Sequence, residues 1–290
     1  MLKIVIKNEY GSFEMGGGSH KNAQILETSG FGLPSKEMQS VTFSGQAGIT
    51  PTSVRDLERT LTISLSFYGG QRDVERLYRI LYREADIYCT FGTRRRKIHG
   101  ICINPEEAAK IIYREWYTVV LQFVCPDPYF HDFENTNVAI SKREDKFPNL
   151  YEDGEWRIQL PAPATVRTSE AAIINAGEVD IRPAIYIYNS VPVNTLSGAY
   201  GIVITNATTG KSISIDYNVA DGETVTVDLA HRRITSDKSG DITNYISDDT
   251  VLGDFVLIPG VNDITAVNLD AAADITMTME YTNNYTSAVI

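Results

Sequence analysis

The sequence predicts a mainly β protein of two domains. The first, residues 1–134, reads as a β-sandwich or split-barrel-like domain with one packed helix; the second, residues 135–290, reads as a linker and a C-terminal β-sandwich. Three observations carry this. From Leu57 to Phe67 apolar residues alternate with Thr and Ser, the period of a half-buried strand. One amphipathic helix pattern follows, over 71–85, and no second one of comparable strength appears. Beyond residue 182 short apolar runs recur between turn dipeptides, the spacing of an all-β sandwich. A chain of 290 residues is long enough for two such cores.

Met1 to Asn8, MLKIVIKN, alternates charged and apolar groups and lacks the apolar core of a signal peptide, so it predicts a strand. Gly16, Gly17 and Gly18 match neither phosphate-binding glycine pattern and predict a flexible loop. On the strand from Leu57, Arg59 is the one charge on the apolar side, which places it at a frayed start. In the helix Val74, Leu77, Tyr78, Leu81, Tyr82 and Ala85 share a face, and Arg72, Arg76, Arg79 and Arg83 take the other. Strands follow in DIYCTF and RKIHGICIN, then from Glu115 to Val124, where both faces are largely apolar and a central strand is expected.

That strand runs into QFVCPDPYFHDF, where thiol, imidazole and carboxylates crowd a dozen residues. Pro126 and Pro128 cannot donate to a ladder and hold their neighbours extended, which separates Cys125, Asp127 and His131 and argues against a catalytic set. Cys89, His99, Cys102, Cys125 and His131 lack the close pairs that build a structural zinc site, and the cysteines read as small apolar strand residues. Pro126, Asp127, Pro128, Tyr129 and Phe130 therefore read as an interdomain hinge. Periodicity is weak from 135 to 182; then come AIYIYN, GIVITN, KSISIDY, ETVTVDL, RRITS, FVLIP, DITAVNL and DITMTMEYT, with Asp221-Gly222 as a hairpin signal.

The net charge of −11 is uneven: residues 1–146 hold 19 basic and 18 acidic side chains, residues 147–290 hold 7 and 19. An acidic second half disfavours nucleic acid and anionic lipid as its partners. Arg94, Arg95 and Arg96 with Lys97 form a basic hairpin, read as a solvated turn or subunit contact. Asp216, Asp221, Glu223, Asp228, Asp248 and Asp249 are expected at solvated turns rather than as a glycosidase pair. The odd, irregular cysteines predict reduced thiols, and no stretch reaches the ~18 apolar residues of a membrane helix. No catalytic, cofactor or metal residue is assigned.

Several segments, in order, resemble one family. They are RTLTISLSFYG with RDVERLYRILYRE, WYTVVLQFVCPDPYF, Asn175-Ala-Gly177 leading to Pro183, ITNATTGKSISI, GETVTVDLAHRRIT and FVLIPGVNDIT. Together they resemble the siphovirus distal tail proteins (Dit) of long-tailed, non-contractile phages and related prophage elements. The resemblance implies a structural virion protein and not an enzyme: a homo-hexameric ring at the tail tip, made in the bacterial host cytoplasm, that joins the tail tube protein to the tail-tip hub. It further implies a galectin-like second domain that projects outward as a platform for receptor-binding or baseplate proteins, with DNA only passing through the channel and no membrane anchor. Within it, Arg72, Arg76, Arg79, Arg83, Arg94, Arg95 and Arg96 are the expected subunit-interface residues. The galectin sugar-binding set on adjacent strands does not carry over, since the second domain's one tryptophan, Trp156, stands before its main strands. The alternative is an adhesin whose β-sandwich holds a host cell-wall saccharide.

Overall fold

The computed structural model describes residues 2–17, 23–45, 47–68, 71–103, 106–108, 116–140, 151–152, 155–156, 167–189, 201–268 and 275–288. They form two compact units, Met1–Phe133 with Asn284–Ile290, and Glu134–Asn283.

The first unit begins with β1 (Leu2–Asn8), β2 (Gly11–Gly16), β3 (Ala23–Ser29), β4 (Lys36–Val41), β5 (Thr50–Asp56) and β6 (Arg59–Tyr68). There follow α1 (Gln71–Leu81), β7 (Ala85–Phe91), β8 (Arg94–Cys102), β9 (Glu106–Ala108), β10 (Trp116–Cys125) and β11 (Phe130–His131). An antiparallel sheet runs β2-β1-β7-β8-β10-β6-β3, so β10 is central, as its two apolar faces require. The sheet curls: a Cβ on Gly16 in β2 would collide with the Leu2 carbonyl and stand 2.9 Å from an Ile25 methyl of β3, which brings the two ends of the strand order together. Inward residues Ile4, Ile6, Leu61, Ile63, Leu65, Ile87, Ile98, Leu121 and Phe123 are completely buried.

The helix packs Leu77, Ile80 and Leu81 on this core. It ends at Leu81, four residues before the expected 85, and Tyr82 is 84% exposed. The side-chain amide of Asn8 donates to the Ile80 carbonyl at 2.8 Å and the Glu84 carbonyl at 3.4 Å, satisfying acceptors at the helix end. Ala85 is already in β7, paired with Gly100.

The second unit contains β12 (Thr136–Ala139), β13 (Tyr151–Glu152), β14 (Glu155–Trp156), β15 (Arg167–Asn175), β16 (Ala184–Asn189), β17 (Ile202–Asn206) and β18 (Lys211–Ile215). β19 (Thr224–Asp228), β20 (Arg233–Ser236), β21 (Gly240–Asp241), β22 (Gly260–Asn268) and β23 (Ile275–Tyr281) complete it. Two sheets, β12-β23-β16-β19-β20-β21 and β15-β22-β17-β18, share one core of Ile, Val, Leu and Met side chains, which makes a sandwich. Three expectations are corrected. Asp221-Gly222 joins β18 in one sheet to β19 in the other, so it turns a crossover rather than a hairpin. FVLIP is not a strand; Phe255 and Leu257 fill the core from a bridge between Ile181 and Leu257. Glu223 is 1% exposed rather than solvated, because Tyr217 Oη (2.7 Å), Ala220 N–H (2.6 Å) and the Ser236 hydroxyl all donate to it. The weakly patterned region also holds a full strand, β15, paired to β22 along its length.

The last strand, β24 (Asn284–Tyr285), leaves the second unit and pairs with β11 in the first. The sequence assigned the C-terminal residues to the second domain; Asn284–Ile290 belong to the first unit. Arg59 explains the return. It is 3% exposed, on the face of Leu61 and Ile63 rather than at a frayed end. Its Nε donates to the Pro128 carbonyl (2.7 Å), Nη1 to those of Gly30 and Gly32 (both 2.6 Å), and Nη2 to that of Thr286 (2.7 Å). The guanidinium carbon lies 4.7 Å from the Phe130 ring centroid. Gly30 has φ +85, and a Cβ there would strike the Thr60 carbonyl, so the loop that offers two of these acceptors requires glycine.

Lysine has three donors on a flexible stem and cannot reproduce the fork. Arg59→Lys is expected to lower stability by about 3 kcal/mol in urea denaturation, the scale of unmaking a buried charged network. Truncation after Asn283 is expected to cost at least as much, because it removes β24 and one acceptor together.

Candidate functional site

The chain leaves the first unit along β11 and re-enters it along β24, and the residues expected as hinge lie there together with Arg96, one of those expected at an interface. Cys125 ends β10 in the core, where burial pushes its thiol up to about 12; burial also raises Cys89 far above its ordinary value. Burial of this kind suits small apolar core residues. Among the described residues no group of three or more His, Cys, Asp or Glu is placed to hold a metal ion.

Asp127 accepts the Tyr129 N–H at 3.0 Å and lies 3.1 Å from His131 Nε2, while His131 Nδ1 meets Asn284 Oδ1 at 2.8 Å. Desolvation pushes the Asp127 carboxyl up, yet the bond and charge of His131, the Tyr129 amide and the field of Arg59 outweigh it and leave it lowered. Tyr129 Oη donates to Asp56 Oδ2 at 2.5 Å and lowers that carboxyl too, burial opposing and Lys36 assisting. Pro128 and Phe130 are held by Arg59. The residues read as a hinge are thus fastened within the first unit. Only Pro126 and Asp127 among them are exposed.

The basic run is not a turn. Gly92 and Thr93 make the turn, and Arg94, Arg95 and Arg96 open β8. Arg94 and Arg95 are exposed. Arg96, opposite Cys89, lies on the inner face: its Nη1 donates to Asp132 Oδ1 at 3.0 Å, and its guanidinium stacks 3.3 Å from the Tyr285 ring centroid. Tyr285 Oη donates to Asp132 Oδ2 at 3.3 Å, and Lys97 Nζ to the Phe133 carbonyl at 3.1 Å. Arg96 is therefore an internal clamp on the outgoing and returning strands. On the helix Arg76, Arg79 and Arg83 are exposed; Arg76 reaches the Ser12 carbonyl at 3.1 Å, and Arg83 lies 5.7 Å from the Tyr10 ring. The side chain of Arg72, like that of Trp156 and the residue Gly18, lies outside the described residues.

The sequence reading missed a further feature. β4 and β5 form a two-stranded ribbon that bonds to no other strand among the described residues. Its base is tied by ion pairs of Lys36 with Asp56 (3.2 Å) and Arg55 with Glu37 (2.5 Å). Beyond the base, Met38, Val41, Phe43, Ile49 and Val54 are all about half exposed, Phe43 at 58%, and Leu33 before it is 71% exposed. None joins either core. Contiguous exposed apolar side chains mark interaction surfaces, and an isolated ribbon is marginal alone. The signal was present, in apolar residues spaced along 33–54 without a helix or sheet period.

Residues 178–285 match the family model SPP1_Dit, siphovirus-type tail component, C-terminal domain. No curated protein matches the sequence. Among solved structures, the chain is similar to the Dit protein (gp 19.1) of phage SPP1, described as a paradigm of the hub adsorption apparatus in phages that infect Gram-positive bacteria. That likeness has a TM-score of 0.63 at 17% identity and covers 98% of this chain and 99% of that one. It is also similar to a chain of the phage P2 baseplate in its activated conformation, with Ca (TM-score 0.51, 11% identity, 97% and 98% covered) and with Sr (0.50, 12%, 97% and 98%).

With their carboxyls lowered below the ordinary 3.8, Asp56 and Asp127 stabilise the fold while ionised. Their contribution is full above that value and is lost as pH falls through the lower folded values. Thermal melting is expected to drop steeply below about pH 4. Asp127→Asn should flatten that part of the profile while leaving an overall loss of about 1 kcal/mol at neutral pH.

Proposed function

We propose that this chain, a siphovirus-type tail component with the fold of the Dit proteins, is the distal tail protein of a phage or prophage particle. Six copies of the first unit close into a ring at the tail tip, between the tail tube protein and the tail-tip hub. The second unit, a galectin-like sandwich in this reading, serves as the attachment platform for receptor-binding or baseplate proteins. We assign it no catalytic step.

The observation that carries the ring is the apolar ribbon of β4 and β5. A closed ring needs a heterologous contact, one surface of each copy meeting a different surface of the next. A ribbon with five half-exposed apolar side chains, fixed at its base by ion pairs and bonded to no other described strand, has the form of such a projecting contact. Arg76, Arg79, Arg83, Arg94 and Arg95 offer exposed cations for the same interface, and Arg72 stays in that proposal; Arg96 leaves it, since its guanidinium is used internally. Pro126 to Phe130 mark the boundary where the platform departs.

Mass photometry tests this over a concentration series. Wild-type protein is expected to form hexamers, and Val54→Glu with Met38→Glu is expected to yield monomers with an unchanged melting temperature. Monomers at every wild-type concentration, or hexamers that persist in the double variant, contradict the reading.

A further inference from the structure

The outer face of the six-stranded sheet carries a pattern that the ring contact proposed above leaves unused. On β16, Tyr186 and Tyr188 share this face, about 7 Å apart along the strand. Thr226 and Thr224 of β19 stand directly beside them on one side, and Thr278 and Thr276 of β23 on the other. In a half of the chain with 19 carboxylates, every position flanking the two tyrosines is an uncharged hydroxyl. Charge resumes one step along, where Asp228 and Glu280 flank Ala184.

Tyr186 is held in place. Its hydroxyl donates to Glu280 Oε2 at 2.9 Å, and the Asn135 amide donates to the other carboxylate oxygen at 2.5 Å. Because Glu280 is the neighbour of Ala184 and not of Tyr186, the ring leans along the strand toward Ala184, whose small side chain leaves it room. Tyr186 is 36% exposed and Tyr188 43%. The result is two amphipathic rings set among fixed hydroxyls, with a carboxylate rim at one end.

The chemistry of that surface selects its ligand. A protein-docking core is apolar, and this face places no Leu, Ile, Met or Phe at these positions. An anionic polymer needs Lys or Arg, and none stands beside the tyrosines. A neutral sugar fits: its C–H face packs on an aromatic ring, and its hydroxyls bond to threonines and carboxylate. We infer that this face binds a neutral polysaccharide chain, with sugar rings seated on Tyr186 and Tyr188. The inference is independent of ring assembly, since every residue in it belongs to the second unit.

The full-length protein is examined by saturation-transfer difference NMR with three neutral probes, maltohexaose, cellohexaose and N-acetylchitohexaose, and a heparin hexasaccharide as polyanion control. Transfer to at least one neutral probe is expected. Tyr186→Ala and Tyr188→Ala should each weaken it about tenfold, the scale of one aromatic contact, with melting unchanged. Tyr186→Phe should retain the stacking and lose less. Absence of transfer to all three neutral probes, equal binding by the Ala variants, or preference for heparin overturns the assignment. Loss of hexamers in the Ala variants without any saccharide signal also overturns it and makes the face a protein contact.

Discussion

One buried guanidinium sets the limits of the first unit. An isolated cation in an apolar core is prohibitively costly, so Arg59 can be there only because four carbonyls and an aromatic face are brought to it. Those acceptors come from three distant places: the loop at Gly30 and Gly32, the turn after the central strand at Pro128, and the C-terminal segment at Thr286. The same loop carries Phe31, whose ring lies 6.1 Å from both Phe91 and Phe130, and whose carbonyl accepts the Ala288 N–H at 3.1 Å. Desolvation lowers the Arg59 pKa, with Cys125, Asp56 and Asp127 opposing it. The Arg59 network is complete only with Thr286 in place.

That constraint bears on how the second unit is carried. The second unit is an insertion, reached along β11 and left along β24, and these two strands pair with each other. Both crossings are fastened on the first-unit side, by Arg96 with Asp132 and Tyr285 and by His131 with Asn284. In the proposed role, a load on an attached partner would fall on two hydrogen-bonded strands instead of one linker. The polar residues of QFVCPDPYFHDF, which look like chemistry in the sequence, supply that fastening.

Strand periodicity, the helix after Gly70 and the sandwich were legible because half-buried elements write their geometry into the order of apolar residues, as from Leu57 to Phe67 and in β16 to β23. The rest depended on partners far away in the chain. Arg59 looks like an end effect until Thr286, 227 residues on, is placed beside it. Arg96 looks solvated until Asp132 and Tyr285 arrive. Glu223 reads as a turn carboxylate, and only the fold brings Ser236 and Tyr217 to bury it. The ribbon's residues carry no interior period because they meet neither core, so their only signal is apolar residues spaced without one. The helix end was misplaced because Asn8, from another element, decides it.

The first unit is a discontinuous body, and in the proposed ring it would join its neighbours through the ribbon. Cryo-electron microscopy of the purified assembly addresses it most directly. The account predicts six copies around a channel, each with β4 and β5 laid on the adjacent copy and with density for Asn284 to Ala288 continuous beside Arg59. A ring in which the ribbon stands free in solvent, or particles with no closed symmetry, would contradict it.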